Sequence, residues 1–145
     1  MQATTGPVRT PQYWIMLALT VMASGRAMTL LFIGRAGDGG TGDPPDAWLM
    51  PLIGDAIVGI SALAIAWLLW KRPSPTVWVV AIVWNAIAAF DALAAYVVDV
   101  VTPWPEFFML ELFGRSMFFA AAAMHVVLII MLAQRPLRDR FSVNL

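Results

Sequence analysis

The sequence predicts an all-α membrane protein: a four-helix transmembrane bundle that runs up-down-up-down, with both termini in the cytoplasm. Hydrophobic residues make up 61% of the 145 residues and charged residues only 12%, about half the charged fraction of an ordinary soluble domain. Four segments also reach the roughly 20 mostly apolar residues that a membrane-spanning helix requires. We therefore expect one integral membrane domain over residues 1-145.

Short polar connections separate the four predicted spans, which extend over about residues 13-34, 48-70, 76-98 and 106-134. A loop rich in glycine and aspartate follows the first span, and residues 71–75 form a tight turn after the second. Pro103 and Pro105 close the loop before the fourth span, and Pro136 ends that span. Connections of this length make sequential helices antiparallel neighbours.

The first span also has features of a cleaved signal peptide. Arg9 precedes an apolar run from Trp14 to Met22, and small residues follow at positions 23–25. Because the sequence becomes apolar again from Leu30 to Ile33, a membrane span is the favoured interpretation.

The loop cations set the expected orientation. One side has six of them and the other has only Arg35, and the positive-inside rule assigns the cation-rich side to the cytoplasm. We therefore expect a multi-pass protein of the cell's inner membrane. The six cations are Arg9, Lys71, Arg72, Arg135, Arg138 and Arg140.

Composition also excludes several kinds of function. The chain has no cysteine, which rules out disulfides, thiolate catalysis and cysteine-based metal sites. Its single histidine rules out a multi-histidine metal centre within one chain. The net charge of zero gives no basic surface for nucleic acid. We find no motif for soluble catalysis, and a non-enzymatic role is favoured.

Five charged residues lie inside the predicted spans, where each charge costs at least ~2.5–3.5 kcal/mol. Counted at about 1.5 Å per residue, all five fall in one layer of the outer third of the membrane. We expect them to face the bundle interior and to pair. These residues are Arg26, Asp55, Asp91, Glu111 and Arg115.

The balance of these charges predicts a binding site. Glu111 and Arg115 are four residues apart on one predicted helix, which favours an ion pair. Three acids and two bases leave one carboxylate, Asp55 or Asp91, that must be protonated or bind something. The leading hypothesis is therefore a pocket open to the outside. It would bind or translocate a small polar or anionic ligand, a lipid headgroup or a proton.

His125 lies deeper on the fourth span. Ala121 precedes it by four residues, a spacing that resembles the one by which light-harvesting helices seat a chlorophyll ring. That resemblance implies a pigment or haem at His125. The alternatives are a hydrogen bond to a neighbouring polar group, or a proton step that links His125 to Asn85 and the charged layer above.

Two broader alternatives to this pocket stay open at this point. The charges could be a structural staple that fixes helix register, in an accessory subunit of a larger membrane complex. The protein could be a membrane enzyme that acts on lipid, with a carboxylate as acid or base. As a carrier it could work alone or as a homo-oligomer, with membrane lipid as its constant partner.

Overall fold

The computed structural model describes residues 10–37, 44, 46–104 and 108–142. The predicted glycine-rich loop at 38–43, Arg9, Pro105 and the expected start of the fourth span at Glu106 lie outside these residues. Throughout the described ranges, the regular structure is helical. The elements are α1 (Pro11–Met22), a 3₁₀ segment (Ala23–Thr29), α2 (Leu30–Gly37), α3 (Leu49–Lys71), α4 (Pro75–Val101), α5 (Phe108–Phe113), α6 (Ser116–Ala133) and α7 (Arg135–Ser142).

Four of these helical stretches are long and apolar enough to cross a membrane. The first, Pro11–Ala36, joins α1, the 3₁₀ segment and α2, and the others are α3, α4 and α6. This confirms the predicted all-α class and, within the described residues, the presence of four helices able to span a membrane. The third span extends three residues beyond its predicted end at Val98, so that Asp99 belongs to a helix and not to a loop.

The prediction of one continuous helix over 106–134 is wrong within the described residues. The fourth span is interrupted between α5, which ends at Phe113, and α6, which begins at Ser116. Gly114 has a φ of 57°, a left-handed conformation that glycine adopts without steric cost and that breaks a right-handed helix. The residues on either side of Gly114 therefore do not share the helical phase that a continuous span would give them.

Proline and a hydroxyl residue start both α1 and α4. Thr10 accepts a hydrogen bond from the Tyr13 N–H at 3.4 Å, and Ser74 accepts one from the Val77 N–H at 3.3 Å. Proline follows each capping residue at the first helical position, where its missing N–H costs nothing. These caps define where each span begins.

Two buried clusters hold the helices together, one near each end. At the first, α7 packs Leu137 and Phe141 against Tyr13 and Leu132, and the Tyr13 hydroxyl donates to Leu69 O at 3.2 Å. The second cluster is aromatic, and there the Trp48 indole N–H donates to Thr102 O at 2.8 Å. Its buried members are Ala36, Trp48, Leu52, Ala95, Trp104 and Phe118. Along their spans, Arg26, Asp55 and Asp91 lie between these two clusters.

The outer surface of the spans is apolar. Many large hydrophobic side chains are exposed there, among them Met50 (72%), Ile57 (62%) and Phe90 (74%). In water such a surface would be an aggregation hazard, whereas a bilayer is an apolar solvent for it.

Candidate functional site

The site is built around Arg26, which lies in the 3₁₀ segment of the first span. This segment lies directly on α3, because Gly59 leaves no side chain between them. A Cβ atom at Gly59 would overlap the backbone of Ala27. The Thr29 hydroxyl also lies 2.8 Å from Arg26 O and 3.1 Å from Leu52 O, which ties the end of the segment to α3.

Two carboxylates converge on the Arg26 guanidinium. Its Nε donates to Asp55 Oδ1 at 2.5 Å, and its Nη2 donates to Asp91 Oδ2 at 2.5 Å. The same Nη2 also contacts Asp55 Oδ1. All three side chains are largely buried, with 12% of Arg26, 24% of Asp55 and 18% of Asp91 exposed. The ion pairs therefore connect three different spans.

The remaining nitrogen of Arg26 points at α4 and α6. Its Nη1 donates to Ala88 O at 3.0 Å and lies 3.4 Å from His125 Nε2. An arginine side chain has five N–H groups and no acceptor. Its five contacts with Asp55 (two), Asp91, Ala88 and His125 therefore engage every donor of Arg26 within the protein.

The hydrogen bonds assign the tautomer of His125. The Asn85 amide nitrogen donates to Ala81 O at 2.8 Å, so the Asn85 oxygen faces His125 Nδ1, at 2.9 Å. An amide oxygen only accepts, so Nδ1 carries the proton. Nε2 is then the lone-pair atom, as its contact with the donor Arg26 also requires. His125 is therefore neutral and protonated on Nδ1 in this arrangement.

A second layer of contacts encloses His125, whose residue exposure is 0%. The Trp84 ring lies edge-on to the imidazole, with 5.4 Å between ring centroids. The Trp84 indole N–H donates to Ser61 Oγ at 2.8 Å, and Ser61 in turn donates to Ile57 O at 2.6 Å. Trp84 thus restrains the orientation of the imidazole ring, and Ser61 of α3 restrains Trp84.

These contacts argue against the pigment or haem at His125. A metal-bearing macrocycle would need one imidazole nitrogen as its axial ligand. Asn85 and Arg26 contact the two ring nitrogens, and the ring has no exposed face. The observed hydrogen bonds match the alternative interpretation, in which His125 is linked to Asn85 and to the charged residues.

Asp91 also lines a groove of about 330 Å³ between α3 and α4, and its Oδ1 lies against Gly54. Gly54 of α3 makes room for it, because a Cβ atom at that position would overlap Asp91 Oδ1. Asp91 is the one charged side chain among the described residues that line the groove. The lining residues are Met50, Pro51, Ile53, Gly54, Ile57, Asp91, Ala94 and Val98.

The five predicted charges do not form one group. Arg115 lies apart from Arg26 and pairs with Asp99, from its Nε to Asp99 Oδ2 at 2.7 Å and from its Nη2 to Asp99 O at 3.3 Å. Glu111 is exposed on α5. The expected Glu111–Arg115 pair is wrong because the break at Gly114 removes their common helical face.

Three functional features were not anticipated from the sequence. The predicted end of the third span at Val98 places Asp99 in a loop, although Asp99 follows Ala88, Ala92 and Ala95 on the buried face of α4. That spacing of small residues was the signal that could have identified it. Gly54 and Gly59 lie on either side of Asp55 in the sequence, but nothing local distinguishes a glycine at a close approach from any other helical glycine.

The site combines one arginine, two carboxylates and a neutral imidazole inside an apolar protein. If both carboxylates were ionised, the group would carry one net negative charge, which an added proton or monovalent cation would balance. Comparison with protein-family models, with curated proteins and with solved structures gives no match for this chain.

Proposed function

We propose that this chain is a non-enzymatic, multi-pass protein of the cell's inner membrane that binds and transfers a proton at the Asp55–Asp91 pair. The observation that carries this proposal is the sharing of a single arginine by two carboxylates. Arg26 neutralises one of them. The second negative charge is costly in an apolar interior. A proton removes that cost and, unlike a larger ligand, needs no cavity.

The geometry favours a proton over the other ligands considered. An anionic ligand or a lipid phosphate would need N–H donors from Arg26, whose five donors already contact protein acceptors. Arg115 is half exposed, but it pairs with the buried Asp99. Binding an anion at Arg26 would therefore require breaking an existing ion pair, and an anion at Arg115 would meet the negative charge of Asp99.

His125 and Asn85 extend the polar path from the carboxylates toward the cation-rich end of the molecule. The chain of contacts runs from Asp91 to Arg26, His125 and Asn85. In this arrangement His125 Nε2 accepts the Arg26 Nη1 N–H. When that contact opens, Nε2 can take up a proton from the carboxylate pair and Nδ1 can release one toward Asn85, while Arg26 stays protonated. We assign it the role of a relay below the carboxylate pair.

The proposed orientation places both termini in the cytoplasm. Lys71 ends α3 and Arg72 follows it, at the end where α7 packs with its arginines, and this cation excess favours the cytoplasmic side. Arg26 lies ten residues before the end of its span at Ala36, and Asp91 ten before Val101. At about 1.5 Å per residue Asp91 is about 15 Å from the outer end. Arg26 is slightly farther from it, because the 3₁₀ segment rises about 2 Å per residue, and both lie slightly outside the midplane.

Infrared pH-difference spectra of the protein in lipid nanodiscs test this proposal. A protonated carboxyl has a C=O stretching band that an ionised one lacks. We expect such a band to titrate in the native protein and to be lost in Asp55→Asn or Asp91→Asn. Glu111→Gln, which changes an exposed acid, serves as the matched control and should keep the band.

Transfer is tested separately in proteoliposomes under an imposed membrane potential. The native protein should conduct protons faster than empty vesicles, and Asp91→Asn should not. A folded protein with no titrating carboxyl band and no flux would contradict the proposal. It would favour the second candidate, an accessory subunit in which the ion pairs fix helix register. The complete use of the Arg26 donors is the observation that favours this second candidate.

A further inference from the structure

We infer that the groove between α3 and α4 is a binding site for a lipophilic monovalent cation, such as a protonated amine or a quaternary ammonium ion. This inference rests on the proposed function, since it assigns a substrate class to the same carboxylate pair. The groove, with a volume of about 330 Å³, is lined by apolar side chains apart from Asp91. It therefore combines an apolar wall with one negatively charged group.

The charges around the groove select the sign of the ligand. Asp91 Oδ2 is held by Arg26, while Oδ1 lies beside Gly54 in the groove wall. Arg26 is turned away from the groove by its contacts with Asp55 and His125. A ligand in the groove therefore meets a carboxylate before it meets any cation, and the three charged groups of the site sum to one net negative charge.

The entrance to the groove selects a lipophilic ligand. Met50 and Ile57 line it and are 72% and 62% exposed on the apolar surface of the spans. A ligand thus reaches Asp91 from the hydrocarbon region and not from water. Cations with large apolar groups partition into that region far more readily than small hydrated ions, whose desolvation is expensive.

Cation and proton would compete for one negative charge. Among the described residues, the charged and titratable groups that face Asp91 are Arg26 from the 3₁₀ segment, Asp55 from α3 and, through Arg26, His125 from α6. When a cation binds beside a protonated pair, the proton leaves to solvent and the net charge of the site is unchanged. By linkage, acidification must then weaken cation binding.

The test compares tetraphenylphosphonium with tetraphenylborate, two ions of matched shape and opposite charge. We expect equilibrium dialysis against the native protein in nanodiscs to show saturable binding of the phosphonium ion only, weakened by acid. Asp91→Asn, which keeps the side-chain shape, should weaken binding by about tenfold or more. Gly54→Val should do the same by displacing the Asp91 carboxylate from the groove wall, whereas Gly34→Val, at a glycine with open space around it, should not.

Equal binding of both ions would identify a general apolar groove and overturn the inference, as would unchanged phosphonium affinity in Asp91→Asn. The infrared band separates the two failures. If the carboxyl band titrates but no phosphonium binds, only this inference fails and the proton site stands. If neither is seen in folded protein, both proposals fail.

Discussion

His125 and Asn85 join α6 to α4 through a buried contact of 2.9 Å between the imidazole Nδ1 and the amide oxygen. The direction of this hydrogen bond is fixed by the Asn85 amide nitrogen, which donates to Ala81 O. It follows that Nε2 presents a lone pair to Arg26. The arginine thereby has an acceptor on each of its sides, and the whole polar group is held in one arrangement.

The assignment of the His125 tautomer can be tested directly, because the chain contains only one histidine. With ¹⁵N-labelled histidine, we expect a neutral ring protonated on Nδ1. Asn85→Ala leaves that N–H without its acceptor and should reduce stability by roughly 1–3 kcal/mol. Trp84→Phe removes the indole bond to Ser61 but no nitrogen contact, so it should keep the tautomer. A ring protonated on Nε2 in the native protein would contradict the assignment.

Removing Arg26 should destabilise the protein more than removing either of its acids. Arg26→Gln leaves two buried carboxylates without a cation, and we expect a loss of about 3–5 kcal/mol. Adding Asp55→Asn and Asp91→Asn to the same chain removes those charges and should restore most of the loss. Unfolding titrations in mixed detergent micelles measure each variant. A triple variant no more stable than Arg26→Gln alone would show that the ion pairs are not the reason for the loss.

The gathering of Arg26, Asp55 and Asp91 could be predicted because two strong physical constraints act on them. Apolar length defines the spans, and the cost of a lipid-exposed charge directs these side chains inward. Asn85 and His125 could be placed near them by counting residues along two of the spans. None of these steps required knowledge of how closely any two helices approach.

The remaining features depend on backbone geometry that local sequence does not fix. The 3₁₀ segment around Arg26 and the close approach at Gly59 arise from packing between two spans. Gly114 could have continued a helix or ended one, and only its left-handed conformation decides. Once that break is present, Arg115 turns from Glu111 to Asp99, and the predicted layer of five charges becomes two separate groups.

The pairing of Arg115 with Asp99 predicts an asymmetry between two neighbouring charged residues. Arg115→Gln removes the partner of a carboxylate whose side chain is only 4% exposed, and we expect a loss of roughly 1–3 kcal/mol. Glu111→Gln changes an exposed residue and should stay within about 0.5 kcal/mol of the native protein. The same unfolding titration compares them. Equal losses for the two variants would favour the helical Glu111–Arg115 pair and contradict the break at Gly114.

The close contact of the 3₁₀ segment with α3 predicts that Gly59 tolerates no side chain. A methyl group in Gly59→Ala would overlap the Ala27 backbone, which cannot move aside as a flexible side chain could. We expect this overpacking to lower the free energy of unfolding by about 1–3 kcal/mol. The infrared carboxyl band of the Asp55–Asp91 pair should also be weaker. Gly25→Ala is the matched control, since it lies in the 3₁₀ segment with open space around it. If Gly59→Ala were as stable as Gly25→Ala, the first span would not lie directly on α3, and Arg26 would not be held between the two carboxylates.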